Sequence, residues 1–138
     1  MSPTKTLTDT DFQRLLEFRD GLRRFLHWSS QEAEAVGLTG TQHQLLLAIR
    51  GHEGPSPSIR DVADHLLLRH HSAVELVHRA EKAGLVQRVD DPDDHRIVRL
   101  ELTRRGREKV EALSAAHLEE LSRMRSQFAG LWNDLPMP

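Results

Sequence analysis

Leu85-Val86-Gln87-Arg88-Val89-Asp90-Asp91-Pro92-Asp93-Asp94-His95-Arg96-Ile97-Val98-Arg99-Leu100-Glu101-Leu102-Thr103-Arg104-Arg105-Gly106 is the stretch on which the reading of the fold turns. Its two ends, 85–89 and 97–102, are rich in Leu, Val and Ile, and residues 90–94 between them are dense in turn formers. That pattern predicts a β-hairpin with a polar tip. Thr103 follows directly and offers a helix-capping hydroxyl. Beyond it Val110, Leu113, Leu121, Met124, Phe128 and Leu131 keep spacings of three and four, broken only by His117, which predicts a long amphipathic helix. The tail from Asn133 to Pro138 is expected to fray.

Upstream of the hairpin lie two short helical patterns. Gly54-Pro55-Ser56-Pro57 breaks the chain, and Ser58 with Asp61 three residues later marks a start, with Ile59, Val62, Ala63 and Leu66 facing inward. After Leu67-Leu68 a second pattern runs from about His70 to Ala83, burying Ala73, Leu76, Val77 and Ala80, with Gly84 able to close it in the left-handed region. Two short helices across a tight connection, the second with a polar outer face, form a helix-turn-helix arrangement. Further back, Thr39-Gly40-Thr41-Gln42 has the T-x-x-Q form of a capping box and opens a helix to about Gly51 that buries Leu45, Leu46 and Ile49. The first helix starts near Thr8, carries Phe12, Leu15, Leu16, Leu22, Phe25 and Leu26 at helical spacing, and ends near Gly37. The first and last helices carry more apolar surface than a small core needs, which predicts packing against a second copy; packing on each other is the plain alternative.

The chain of 138 residues fits one domain with one core. With 38% hydrophobic and 29% charged residues, two Trp, four Phe and no Tyr, it reads as helix-rich and heavily charged at its surface. The absence of cysteine excludes disulfides, thiolate catalysis and most structural zinc sites. No apolar run is long enough to span a bilayer and the N-terminus has no secretory pattern, so a cytoplasmic location and no membrane partner are expected. No nucleophile elbow, phosphate-binding glycine loop or H-E-x-x-H occurs, so neither catalysis nor a cofactor is expected. The net charge of −2 argues at first against a polyanionic partner. Residues 58–106 nevertheless balance nine Lys/Arg against nine Asp/Glu and hold five of the nine histidines, so the middle of the chain is relatively basic.

Particular residues sharpen the element order. Asp94-His95-Arg96 followed by Leu100-Glu101-Leu102-Thr103-Arg104-Arg105-Gly106 resembles the D-x-R … L-T-x-x-G signature of the MarR family of transcription regulators. Gly37-Leu38-Thr39 with Gln42 is similar to that family's entry to its second helix, and residues 76–86 resemble the end of its recognition helix. The likeness covers about residues 10–130. It implies a mainly α, winged helix-turn-helix fold with a two-stranded β-hairpin wing and long terminal dimerisation helices (8–36 and 107–132) around a DNA-binding segment (40–106), all within one domain, 1–138. It further implies a homodimeric regulator of a pseudo-palindromic operator, commonly a repressor relieved by a small, often aromatic, effector. Arg69, His78 and Glu75 depart from the residue types usual in the family at their positions, a small hydroxyl residue, Asp or Asn, and a polar or basic residue.

On this reading the N-terminal part of the second helix-turn-helix helix meets the major groove of double-stranded DNA. Arg69, His70, His71 and Ser72 are the candidates for base or phosphate contact, and Glu75 could accept from a cytosine amino group. The alternative for Glu75 is a surface pair with Arg79 at i, i+4. Arg96 at the hairpin tip is expected to enter the minor groove, with Asp94 holding the turn. Arg60, Arg88 and Arg99 are candidate phosphate contacts, or ordinary surface charges. Trp28 and His43 are candidates for an effector wall, or for helix packing. Two rivals stand beside this reading. His71, Glu75 and His78 could share a metal on one helical face, making a metal-responsive regulator, although no metal site is assigned. A winged helix could also serve as a protein-binding module.

Overall fold

The structure, a computed structural model, describes residues 6–138. Residues 1–5, included in the expected single domain and in the reading of the N-terminus, lie outside the described residues. Five helices and one hairpin follow in the order α1 (Asp9–Ala35), α2 (Gly40–Gly51), α3 (Ile59–Leu66), α4 (His70–Lys82), β1 (Val86–Asp90), β2 (Val98–Leu102) and α5 (Arg104–Asn133).

The helix starts are chemically specified. Thr8, Thr39 and Ser58 each accept from the third helical backbone N–H, and Asp11, Gln42 and Asp61 return a bond to the cap backbone. Each box satisfies two N–H groups that a helix start otherwise leaves without partners. Thr103 caps α5 by accepting from Gly106 N and also donates to the Gly84 carbonyl at 2.6 Å. Arg69, at the cap of α4, makes no side-chain capping bond, as its departure from a small hydroxyl residue implies.

The hairpin is antiparallel, pairing Val86 with Leu102 and Asp90 with Val98. Both strands therefore start one residue later than expected, at Val86 and Val98, and the loop spans 91–97 rather than 90–96. Leu85 is excluded from the strand because its N–H closes α4 on the Ala80 carbonyl, while its own carbonyl accepts from Thr103 N. Ile97 is excluded because it is tied across the loop, its N–H to Asp94 O and its carbonyl to Asp91 N, at 3.0 Å each. On the other side of β2, Leu100 N donates to Pro57 O at 2.8 Å, so the segment before α3 lies along the wing.

The core joins Leu38, Leu45, Leu46 and Ile49 to Val62, Val77, Ala80, Leu85, Val86, Leu100 and Leu102, closed by Ala33 of α1 and Val110 and Leu113 of α5. Leu76, expected inside, is only partly buried at its edge. Two glycines are dictated by geometry. Gly84 leaves α4 at φ +74, where a side chain would strain the backbone. At Gly106 an added Cβ would lie 2.2 Å from the Leu85 carbonyl oxygen, so only hydrogen lets α5 begin this close to the α4–β1 junction. Among the described residues no helix is long and apolar enough to cross a membrane.

Candidate nucleic-acid interface

Position 67 sets the direction of α4. Leu67 caps α3 in the left-handed region at φ +55, and Leu68 N bonds back to Ala63 O at 2.9 Å. The turn is therefore tight and α4 leaves it with its N-terminus outward. Leu67 is 92% exposed, so a bulky apolar side chain stands in water in a conformation that costs a β-carbon about 1 kcal/mol. Nothing in hydrophobic periodicity marks that position.

Arg69, His70 and His71 follow, all exposed, and Ser72 is half-buried. No hydrogen bond or ion pair links the side chains of Arg69, His70 or His71 to another group among the described residues. Together with the uncapped first-turn N–H groups of α4 they form a cationic and donor-rich edge. Arg60, exposed on the first turn of α3, is likewise without an ion pair among the described residues. Glu75, by contrast, holds Arg79 at 2.7 Å across one turn, both largely exposed.

The wing loop is organised by one carboxylate. Asp91 accepts from Asp93 N and Asp94 N at 2.9 Å and from Arg99 Nε at 3.0 Å. Those bonds hold its carboxyl below the usual carboxylate range, the Asp93 amide contributing most. Arg99 also donates to Ser56 O at 3.2 Å and is largely covered, so its guanidinium clamps the wing to the segment before α3. Asp94 accepts from Nε and NH2 of Arg96, each at 3.0 Å, and from the Arg96 amide. The Arg96 side chain first, and then its amide, lower the Asp94 carboxyl below its ordinary value. Arg96 is thus fully presented yet fixed in direction, 91% exposed at the tip. Arg88 on β1 is turned toward α4, with Nε 3.3 Å from Glu81.

The structure gathers Trp28 and His43 around a residue that the sequence showed only as a gap in a stripe. The His117 ring centroid lies 4.7 Å from those of Trp28 and His43 and 5.8 Å from that of Phe25. Its Nε2 is 2.7 Å from Ser29 Oγ and its Nδ1 2.7 Å from Leu113 O. His43 is buried, and burial first, then the neighbouring His117, push its pKa below the ordinary imidazole value. His71, Glu75 and His78 do not form a ligand set: among the described residues no three His, Asp or Glu side chains are placed to hold one metal ion.

Comparison with known proteins gives these positions a context. Residues 36–97 match the model of the MarR family. AbsC, a MarR family transcriptional regulator from Streptomyces coelicolor, superposes with a TM-score of 0.72 at 24% identity, covering 98% of this chain and 86% of that one. MepR of Staphylococcus aureus, solved as a DNA complex, gives a TM-score of 0.70 at 24% identity over 80% of this chain and 78% of its own. YusO from Bacillus subtilis gives 0.65 at 20% identity, with coverage of 88% and 85%. No curated protein matches the chain in sequence. With the matched segment 36–97 and the superposition on AbsC and MepR in hand, the chain has the winged-helix fold of these MarR family structures, and its central segment is similar to that family's model.

Proposed function

We propose that this protein regulates transcription by binding double-stranded DNA as a homodimer, with α4 in the major groove and the 91–97 loop over the adjacent minor groove. The observation that carries the reading is the unpartnered edge Arg69-His70-His71 at the start of α4, set beside an Arg96 that Asp94 aims outward. A helix N-terminus with free donors suits phosphate, and an exposed Arg on a wing suits the narrow groove. In this arrangement Ser72 meets a base or phosphate at the pocket it lines with Glu75, and Arg60 holds a flanking phosphate. Arg88 and Arg99 brace the wing, and Glu75 keeps Arg79 in place. The 40–106 segment reads DNA, while 8–36 and 107–132 join two copies through the apolar residues they leave exposed. A repressor released by a small effector fits this plan. Trp28 and His43 are where such an effector would act, because both touch His117 across the seam between α1, α2 and α5.

The test is binding to fragments that the purified protein selects from genomic DNA, titrated at several salt concentrations. Arg69→Ala and Arg96→Ala should each lower affinity roughly tenfold with an unchanged thermal melt, and the Arg69 variant should flatten the salt slope by about one ion. Selection of no fragment, or affinities equal to the parent in both variants, defeats the proposal.

A further inference from the structure

Two imidazoles away from the DNA-facing edge point their nitrogens at each other. His52, at the C-terminal end of α2, places Nδ1 2.9 Å from Nε2 of His65 on α3, with the rings at 85°. The other nitrogen of His52, Nε2, lies 3.7 Å from Asp61 Oδ2. Asp61 is kept ionised by its capping bond from the Ser58 amide before all else, so a fixed negative charge faces that nitrogen. His52 is largely covered, with 21% of its side chain exposed, which fixes its orientation.

A negative charge behind one nitrogen of an imidazole favours a cation at the other; at 3.7 Å Asp61 acts on His52 through that charge and not through a hydrogen bond. Two nitrogens on a tetrahedral zinc at bonds of about 2.0–2.1 Å stand roughly 3.3 Å apart, so the pair, hydrogen-bonded at 2.9 Å, must open by about 0.4 Å, shift the hydrogen between the two nitrogens to the far nitrogen of its ring, and turn both rings toward the ion. We propose that His52 Nδ1 and His65 Nε2 form a two-imidazole site for zinc(II), with Asp61 behind His52 and water in the remaining positions. Since no third His, Asp or Glu closes the set among the described residues, the ion is exchangeable and open to outside donors. The residues differ from the His71, Glu75 and His78 set, and the site does not depend on the DNA-binding reading. A bound ion would staple the end of α2 to α3, the helix that seats α4.

Tag-free protein titrated with zinc sulfate by calorimetry should bind one saturable equivalent per chain, and zinc should raise the melting temperature. His52→Gln and His65→Gln should each weaken binding roughly tenfold or more, whereas His71→Gln with His78→Gln should leave it unchanged. Long-range imidazole nitrogen spectra supply a readout that does not depend on substitution: the metal-shifted signals should be Nδ1 of His52 and Nε2 of His65. Absence of saturable binding below about 1 mM zinc overturns the proposal. So does binding that survives both single variants, or spectra that shift at His70, His71 or His78 instead.

Discussion

The segment from α2 to β2 and the pair of terminal helices are built on opposite terms. In the first, α2, α3, α4 and the hairpin share one core in which Leu45, Leu46, Val62, Val77 and Leu100 are wholly buried. In the second, Phe12, Leu15, Leu16 and Leu26 of α1 and Leu118 and Leu121 of α5 stand largely in water. Beyond Leu113 no residue of α5 is buried, and before Ala33 only Gly21 of α1 is. The helices do touch, through Phe18 against Phe128 and Trp132 at 6.0 Å, but those contacts leave the stripe uncovered. The winged segment thus buries its side chains in a core that Ala33, Val110 and Leu113 close from the terminal helices, whereas the rest of those two helices leaves an apolar stripe exposed in the single chain.

The hardest way to break the contrast is at the junction where the two regions meet. Gly106→Ala places a Cβ 2.2 Å from the Leu85 carbonyl, which is backbone and cannot turn aside. Either α5 shifts or the Thr103–Leu85 and Thr103–Gly84 bonds open. We expect a loss of about 3 kcal/mol in urea unfolding. A variant as stable as the parent would mean that the junction is slack and the L-T-x-x-G pattern has another cause.

The next expected effect lies in the helices and leaves the winged segment alone. Leu118→Glu with Leu121→Glu adds charge to exposed positions, so a folded monomer loses little, whereas a dimer buried through this stripe must desolvate both acids. Sedimentation should show the parent at twice the chain mass and the double variant at the chain mass, with similar helix content by circular dichroism. Phe128, which the stripe alone would also nominate, is unsuitable for the test. Its ring packs within the chain on Phe18, and it lies 3.1 Å from where a Cβ on Gly21 would stand. A parent that sediments as a monomer at micromolar concentration counts against the dimer.

The same contrast shows what was legible in the sequence. Caps at Thr8, Thr39, Ser58 and Thr103 are local chemistry, decided within three or four residues, and they set the helix starts as read. Leu45, Leu46 and Ile49 of α2 and Ala73, Val77 and Ala80 of α4 follow from period, which places Leu76 too deep and leaves out the buried His43. The wing was legible as a hairpin but not as a device. Asp91 looked like one turn former among several, and Arg99 like a strand charge, because their bond joins residues whose proximity depends on the loop that they themselves fix. The further tie from Arg99 to Ser56 spans 43 residues, and that from His117 to Ser29 spans 88. Pattern reading has no access to such pairs. His117 registered as an interruption in an apolar stripe, and that interruption was the signal.

His117 and His43 lie where the two regions join, and they allow the gentlest test. His43 on α2 is faced by the His117 ring of α5, which in turn packs on Trp28 and Phe25 and bonds Ser29, all of α1. Burial and the His117 neighbour both disfavour a proton on His43, so its folded-state pKa lies below the ordinary value of 6.5 that the unfolded chain retains. The sign follows: below 6.5 the unfolded state takes a proton that the folded state refuses, so stability contributed by neutral His43 is complete above that pH. It is lost as pH falls toward the depressed folded value, and for one proton the slope cannot exceed about 1.4 kcal/mol per pH unit. His43→Gln removes the titrating group while keeping a polar side chain of similar reach. Urea unfolding of parent and variant at closely spaced pH values on either side of 6.5 should give profiles that are parallel above it and diverge below, with the parent falling faster. A change confined to the winged segment would leave the sedimenting mass as it was, while one carried through His117 into α1 and α5 should lower that mass on the acid side in the parent, if it sediments as the proposed dimer, and not in the variant. Identical pH profiles for the two proteins would show that the seam between the winged segment and the terminal helices does not sense protons through His43.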